Sequence, residues 1–462
     1  MYGKLTRGLT LVVLLAVMLT ACAAPQPQQQ PTAAPTQAAE QPAAAPTQEA
    51  APPPEPASAE PLRVWITWGD NPAQLQSLFD KYGAANNVKV EVTAPVDEEK
   101  VLPALTSSNP PDILIMGGGD LVKSYAAEGL VVELSDAVRA GGIDMADIYP
   151  APLVQCEQGG KYYCLPWGSD LYGFFWNKDM FEAAGLDPER PPQTMEELVE
   201  YADKLTKVGA DGKIEQIGFI PDLSWSHTDL YASVFGGFWY NKDGTKVTAN
   251  SQPMIDALKW QQQFYTKYGT DEVLSFSSGF GEYMSPDHPF YAGKVAMMVE
   301  GEWQTGPNFI SKYKPELNYG VVAFPPPAGN PERAKTVVAQ GTVAVIPAKA
   351  RDKEASAKLL AWMLSPEIIA EEMVTNANLP TSKKAALDPR FSESPKFKVF
   401  VDLMASPNAK AMITTPISLE LNDALGTVEE QVLHTGADPE PLLNEVQQKF
   451  APMLEEALLN LK

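Results

Sequence analysis

The 462 residues are too many for one ordinary core at roughly 100–200 residues per domain, and 45% hydrophobic with 9% aromatic content suits two or three folded domains. Thirty-five Lys and Arg against 58 Asp and Glu leave a formal net charge of −23. That balance repels nucleic acid and anionic lipid headgroups at long range, which excludes nucleic acid as a partner.

At the N-terminus, Lys4 and Arg7 precede an apolar stretch over residues 8–21, GLTLVVLLAVMLTA, too short to cross a hydrocarbon core of about 30 Å as a helix. This predicts a signal peptide over residues 1–21. It ends in Leu19-Thr20-Ala21-Cys22, which resembles the lipobox of bacterial lipoproteins, in which the cysteine is diacylated and becomes the new N-terminus. The alternative is an incidental cysteine after an ordinary signal sequence. No other segment reaches about 18 uninterrupted apolar residues, so the expectation is a chain held on the outer face of a membrane by lipid, not threaded through it. Residues 22–61 form the expected tether: after Cys22 come thirteen Ala, eleven Pro and seven Gln with no Lys or Arg. Such a composition buries no apolar surface and stays extended.

From Leu62 the chain alternates strand and helix. LRVWIT reads as a strand, and residues 72–86 carry Leu75, Leu78, Phe79 and Tyr82 at helical spacing. VKVEV is a strand, residues 97–107 a helix, DILIMG a buried strand, and residues 120–128 a helix closed by Gly129. This rhythm predicts βαβ units and a parallel sheet covered on both faces. Cys156 and Cys164 flank a Gly-Gly turn in CEQGGKYYC; in an oxidising exported compartment that spacing suits a hairpin disulfide, with free thiols as the alternative. Two cysteines without a nearby histidine make a poor zinc site, and no metal site is expected. After Cys164 the rhythm restarts, with Thr194-Met195-Glu196-Glu197 as a capping box, and further helices are predicted over residues 353–364 and 439–461.

The order of local signatures resembles the extracellular solute-binding lipoproteins of bacterial ABC-type sugar uptake transporters, the group that includes maltose-binding proteins. The resemblance rests on PPDILIMGGGDLVKSYAAEGLVVEL, YYCLPWGSDLYGFFWNKDMFEAAGLDPERPPQTMEELVEYADKL, GGFWYNKDGTKV, FYAGKVAMMVEGEW and NANLPTSKKA taken in sequence. It implies an α/β fold of two lobes joined by hinge strands, with ligand in the interlobe cleft. On that template the first lobe is 62–168 plus 334–378 and the second 169–333 plus 379–462. Hinge strands are expected near Trp167 to Leu171, Val321 to Pro327 and Leu379. The implied function is capture of a mono- or oligosaccharide by a monomer that delivers it to the permease subunits of an ABC transporter, with no cofactor.

A sugar presents apolar CH faces and a rim of hydroxyls, so its site needs flat aromatic rings together with carboxylates or amides. Trp68 and Asp70 follow the first strand, and Asp120 follows three glycines that let a ligand approach the backbone. Trp167 and Asp170 sit in the first crossover. Trp225 lies in the polar loop PDLSWSHTD, Glu302 and Trp303 end VEGEW, and Gln340 and Gly341 stand where the chain re-enters the first lobe. Trp239, Trp260 and Trp362 read as core. The three histidines have no metal-ligand spacing and no GxSxG elbow appears, so catalysis is poorly supported. Two alternatives stand beside sugar binding: an exported lipid-anchored glycoside hydrolase assembled from paired carboxylates, and a site for a cationic ligand such as a polyamine.

Overall fold

The computed structural model describes residues 60–460; the leader, Cys22 and all of the tether but Glu60 and Pro61 lie outside the described residues. Strands β1 (Leu62–Ile66), β2 (Val90–Thr93) and β3 (Ile113–Met116) form a parallel ladder in the order β2-β1-β3. Helix α1 (Pro72–Asn86) links the first two; Asn71 caps it through Gln74 N, Pro72 occupies its first position, and Asn87 ends it in the left-handed conformation. Strand β3 alternates its side chains between two cores. Ile113 and Ile115 join Leu78, Phe79 and Trp167 on one face, while Leu114 and Met116 join Val101, Val122 and the half-cystines on the other. Cys156 and Cys164 are joined as a disulfide across a hairpin whose Gly159 and Gly160 both have positive φ.

Strand β4 (Leu165–Pro166) closes this first sheet, and β5 (Gly168–Ser169) leads out of it. The second sheet is built on β6 (Tyr172–Asn177), β7 (Ile214–Phe219), β8 (Val295–Gly301) and β9 (Tyr319–Val322), in the order β9-β6-β8-β7. All seven residues of β8 are buried, as expected of a central strand covered on both sides. Helix Met195–Leu205 covers this sheet; Thr194 caps it through Glu197 N, whereas Glu197 reaches back to Gln193 N, one residue before the capping-box partner.

The parallel ladder expected from residues 62–129 is present in β2-β1-β3, but each sheet also takes in antiparallel strands. Strand β6 runs antiparallel to β8 and β9, and β11 (Val343–Val345) enters the first sheet antiparallel between β3 and β4. A strand that arrives from the other lobe enters against the direction of the local βαβ units, which mixes the sheet.

Three segments cross between the sheets side by side. Trp167 N and Gly168 N donate to Thr342 O, Asp170 N donates to Gln340 O at 2.9 Å, and β5 pairs with β12 (Leu379–Pro380). Trp167 to Ser169 and Leu379, two of the segments expected as hinge strands, take part in these pairings. The expected segment Val321 to Pro327 does not: β9 is an integral strand of the second sheet, and Pro326 O and Ala328 N are bonded to Met195 and Glu196 of that lobe. Crossing occurs later, after β10 (Val337–Ala339), which pairs with β13 (Ala409–Ala411). The first lobe also continues past residue 378, since Ser382, Lys383 and Lys384 are all hydrogen-bonded to Asp147. Two more helices complete the parts used below: α2 (Val122–Ala127) of the first lobe and α3 (Ser418–Thr435) of the second. No helix among the described residues is long and apolar enough to cross a membrane.

Candidate functional site in the interlobe cleft

Parallel strands end where a ligand can reach backbone and loops, and the cleft opens at those ends. A cavity of about 940 Å³ lies between the lobes. Thr67, Trp68 and Asp70 leave the end of β1, and Gly117, Gly118 and Asp120 leave the end of β3; Gly117 N is held by Thr67 Oγ1 at 3.0 Å. The second lobe supplies Asp170 and Tyr172 at β6, Trp225 after β7, Trp303 after β8, and one stripe of α3 containing Asn422, Leu425, Glu429, Leu433 and His434.

Seven of the ten expected ligand residues line this cavity: Trp68, Asp70, Asp120, Asp170, Trp225, Trp303 and Gln340. Trp303 is the most completely positioned. Its Nε1 donates to the Tyr283 hydroxyl at 2.7 Å, which in turn donates to Glu300 Oε2 at 3.0 Å. Tyr172 meets its ring edge-on at 5.9 Å between centroids. Gly301 stands behind it, where a Cβ would lie 2.3 Å from the indole, so the ring cannot retreat from the cleft. Trp225 is 53% exposed and rests edge-on against Tyr283. Trp68 stacks on Trp167, with centroids 6.2 Å apart.

The other three residues are placed behind the site. Trp167 is fully buried against Phe79 and Trp68, because the sheet directs it into the first-lobe core. Glu302 is fully buried; one of its oxygens accepts from Leu171 N at 3.0 Å and the side chain is hydrogen-bonded to Asp170. It orients Asp170 instead of facing ligand. Gly341 is buried at the crossing with φ of +153°, and a Cβ there would lie 2.3 Å from Gly168 O, so its role is close backbone approach. Conversely Trp239, read as core, lines the cavity. Also missed were Tyr172, Tyr283, Asp222, His227, Asp229, Asn422 and Glu429. For the α3 residues the available signal was polar Asn422 and Glu429 interleaved with Leu425 and Leu433 at helical spacing.

The electrostatics are one-sided. The lining carboxylates are Asp70, Glu98, Asp120, Asp170, Asp222, Asp229, Glu429 and Glu430, and among the described residues no Lys or Arg lines the cavity. Burial pushes Asp70 up to about 6, against the opposing pull of Lys312. Burial likewise raises Asp229 to about 6, opposed by His227. Burial raises both Asp170 and Glu302; the hydrogen bond between them raises Glu302 further and pulls Asp170 back, so the pair holds a proton, chiefly on Glu302, above the ordinary carboxylate range. Asp120 is raised by burial and accepts from Asn422 Nδ2 at 3.3 Å. His227, bonded to Glu429, is raised to about 8. His434 is raised by its bond to Asp222 at 3.1 Å. Among the described residues no three His, Cys, Asp or Glu side chains are grouped to hold a metal ion. Aromatic faces with hydrogen-bonding carboxyls beside them can bind a ligand.

Known proteins share this fold. The chain is 24% identical over 370 residues to an uncharacterized ABC transporter extracellular-binding protein of Pyrococcus horikoshii, covering 75% of this chain and 76% of that one. It superposes on CpMnBP1, solved with mannotriose bound, at a TM-score of 0.77 and 28% identity, covering 84% of this chain and 99% of that one. UgpB of Mycobacterium tuberculosis, in complex with glycerophosphocholine, shares the fold at a TM-score of 0.68 and 19% identity, covering 86% and 99%. Residues 77–399 match the family of bacterial extracellular solute-binding proteins, and this two-lobed chain with its interlobe cleft belongs to that family.

Proposed function

We propose that this protein captures a carbohydrate between its two lobes and delivers it to the permease subunits of an ABC transporter, held at the outer face of the membrane by lipid on Cys22. The observation that carries the reading is the Trp303 ring, fixed by Tyr283 and Gly301 beside the Asp170 carboxyl. A flat ring covers the CH face of a sugar while the carboxyl takes its hydroxyls. A volume of about 940 Å³ lies at the upper end of the usual 300–1,000 Å³ for ligand sites, which favours an oligosaccharide over a single ring. The mannotriose complex of CpMnBP1 supports the same ligand class. Ligand touching both lobes stabilises the closed form, the state a permease can distinguish.

The test is calorimetry with a panel of mono- and oligosaccharides that starts from mannobiose and mannotriose, paired with small-angle scattering with and without sugar. Saturable binding with a smaller radius of gyration is expected. Absence of binding across the panel, or hydrolysis of the sugar, overturns the reading. For the anchor, Cys22→Ala is expected to release the protein from the membrane fraction; unchanged association with no lipid incorporated overturns that part.

A further inference from the structure

The cleft holds eight carboxylates, and its only basic side chains are His227 and His434 among the described residues. Each histidine is already matched from within the lining, His227 by Glu429 at 3.4 Å and His434 by Asp222 at 3.1 Å. Of the other six, Asp170 is engaged with Glu302, which leaves five carboxylates facing the cavity with no salt-bridge partner among the described residues. They come from both walls: Asp70, Glu98 and Asp120 from the first lobe, Asp229 and Glu430 from the second. Asp70 has no hydrogen-bond partner among the described residues, and Lys312, the cation that acts on it, does not line the cavity. A low-dielectric cleft lined by one sign of charge focuses its field on whatever enters. An anionic substituent there meets like charge with no lysine or arginine to receive it, whereas an ammonium group finds a carboxylate on either wall.

From the one-signed lining of both walls, we propose that the cleft sorts glycans by charge, holding amino-substituted sugars more tightly than neutral ones and neutral ones more tightly than sugars bearing carboxylate, phosphate or sulfate. This deepens the carbohydrate reading and rests on it. The aromatic rings accept any pyranose with an apolar face, so the carboxylates set the charge of the substituents that enter with it.

The experiment uses the full chain with three probes of one backbone: mannotriose, its derivative with the terminal C6 hydroxyl replaced by an amine, and its derivative with that carbon oxidised to a carboxylate. Calorimetry at neutral pH should give at least about tenfold tighter binding for the amine and at least about tenfold weaker binding for the carboxylate, relative to mannotriose. In Asp70→Asn/Asp229→Asn, which removes two charges and keeps the shape, the span between amine and carboxylate should contract at least about fivefold. Glu98→Gln, at an exposed position, is the second variant should the first fail to fold, and it should contract the span in the same direction. Equal affinity for parent and carboxylate, or a span that persists unchanged in the folded variants, overturns the charge filter and leaves the carbohydrate reading intact. Failure of all three probes and of the wider sugar panel overturns that reading and the filter with it.

Discussion

The two lobes meet twice, and the two meetings are made differently. At the crossing, the contacts are backbone: Trp167, Gly168 and Asp170 bond the 340–342 segment, and β5 pairs with β12. Away from it, α2 and α3 meet through side chains, with Ser124 Oγ donating to Pro416 O at 2.9 Å and Asn422 Nδ2 to Asp120 at 3.3 Å. Backbone ladders among buried residues are costly to leave unpaired, so the crossing persists in every state. Side-chain bonds at a partly exposed rim exchange with water at little net cost, so they can open and close with ligand. A binding protein needs both.

The largest effect expected is at the crossing. Gly341→Ala places a methyl against Gly168 O in a conformation that L-residues avoid, and it should cost roughly 3 kcal/mol of stability by urea denaturation. A stability unchanged from the parent would show that the crossing yields. Next, Trp303→Ala should weaken sugar binding by about 1–3 kcal/mol in calorimetry, through lost ring contact, while lowering the melting temperature less than Gly341→Ala does. A third expectation concerns pH. Glu300 and Glu372 are raised to about 7, and Asp70 and Asp229 to about 6, all chiefly by burial. A raised carboxyl contributes stability that is full below its unfolded pKa near 4 and is lost as pH rises through the folded value. His227, raised to about 8, loses its contribution in the same direction, whereas His288, lowered to about 4 by burial, opposes them between about 6.5 and 4. The melting temperature should therefore fall by a few degrees between pH 5 and 8; a rise over that interval contradicts the sign. The smallest effect is at the rim: Asn422→Ala should change stability by no more than about 1 kcal/mol, yet shift small-angle scattering of the sugar-free protein toward a larger radius.

Sequence patterns reached the site more readily at strand ends than along helices. Trp68, Asp70, Asp120 and Trp303 stand directly after apolar runs, where the chain must leave the sheet, so their position at the cleft follows from topology. Trp167 lies three residues before Asp170 and Glu302 accepts from Leu171 N, but which side of a short crossing strand faces the cleft depends on the partner strands. That information is tertiary. Gly341 has no side chain to betray its function; only the 340–342 segment passing Gly168 explains it. The α3 stripe was legible as an amphipathic helix, and a helix face alone does not say whether its polar residues meet water or a cleft. The parallel pairing of β1 to β3 was legible, but the antiparallel addition was not: Val343–Val345 has the composition of any buried strand, and nothing local records that it returns from the other lobe.

That returning strand also constrains how the chain can acquire its structure. Strand β11 sits between β3 and β4, so β4 at residue 165 has no neighbour until residue 343 has been delivered. The second lobe waits longer still, because α3 and the helix Pro439–Leu459 belong to its core. Neither lobe is complete until these late segments have been delivered, and contacts of such long sequence separation form slowly. A chain whose two cores are closed only by late segments reaches its final packing after nearly its last helix has been made.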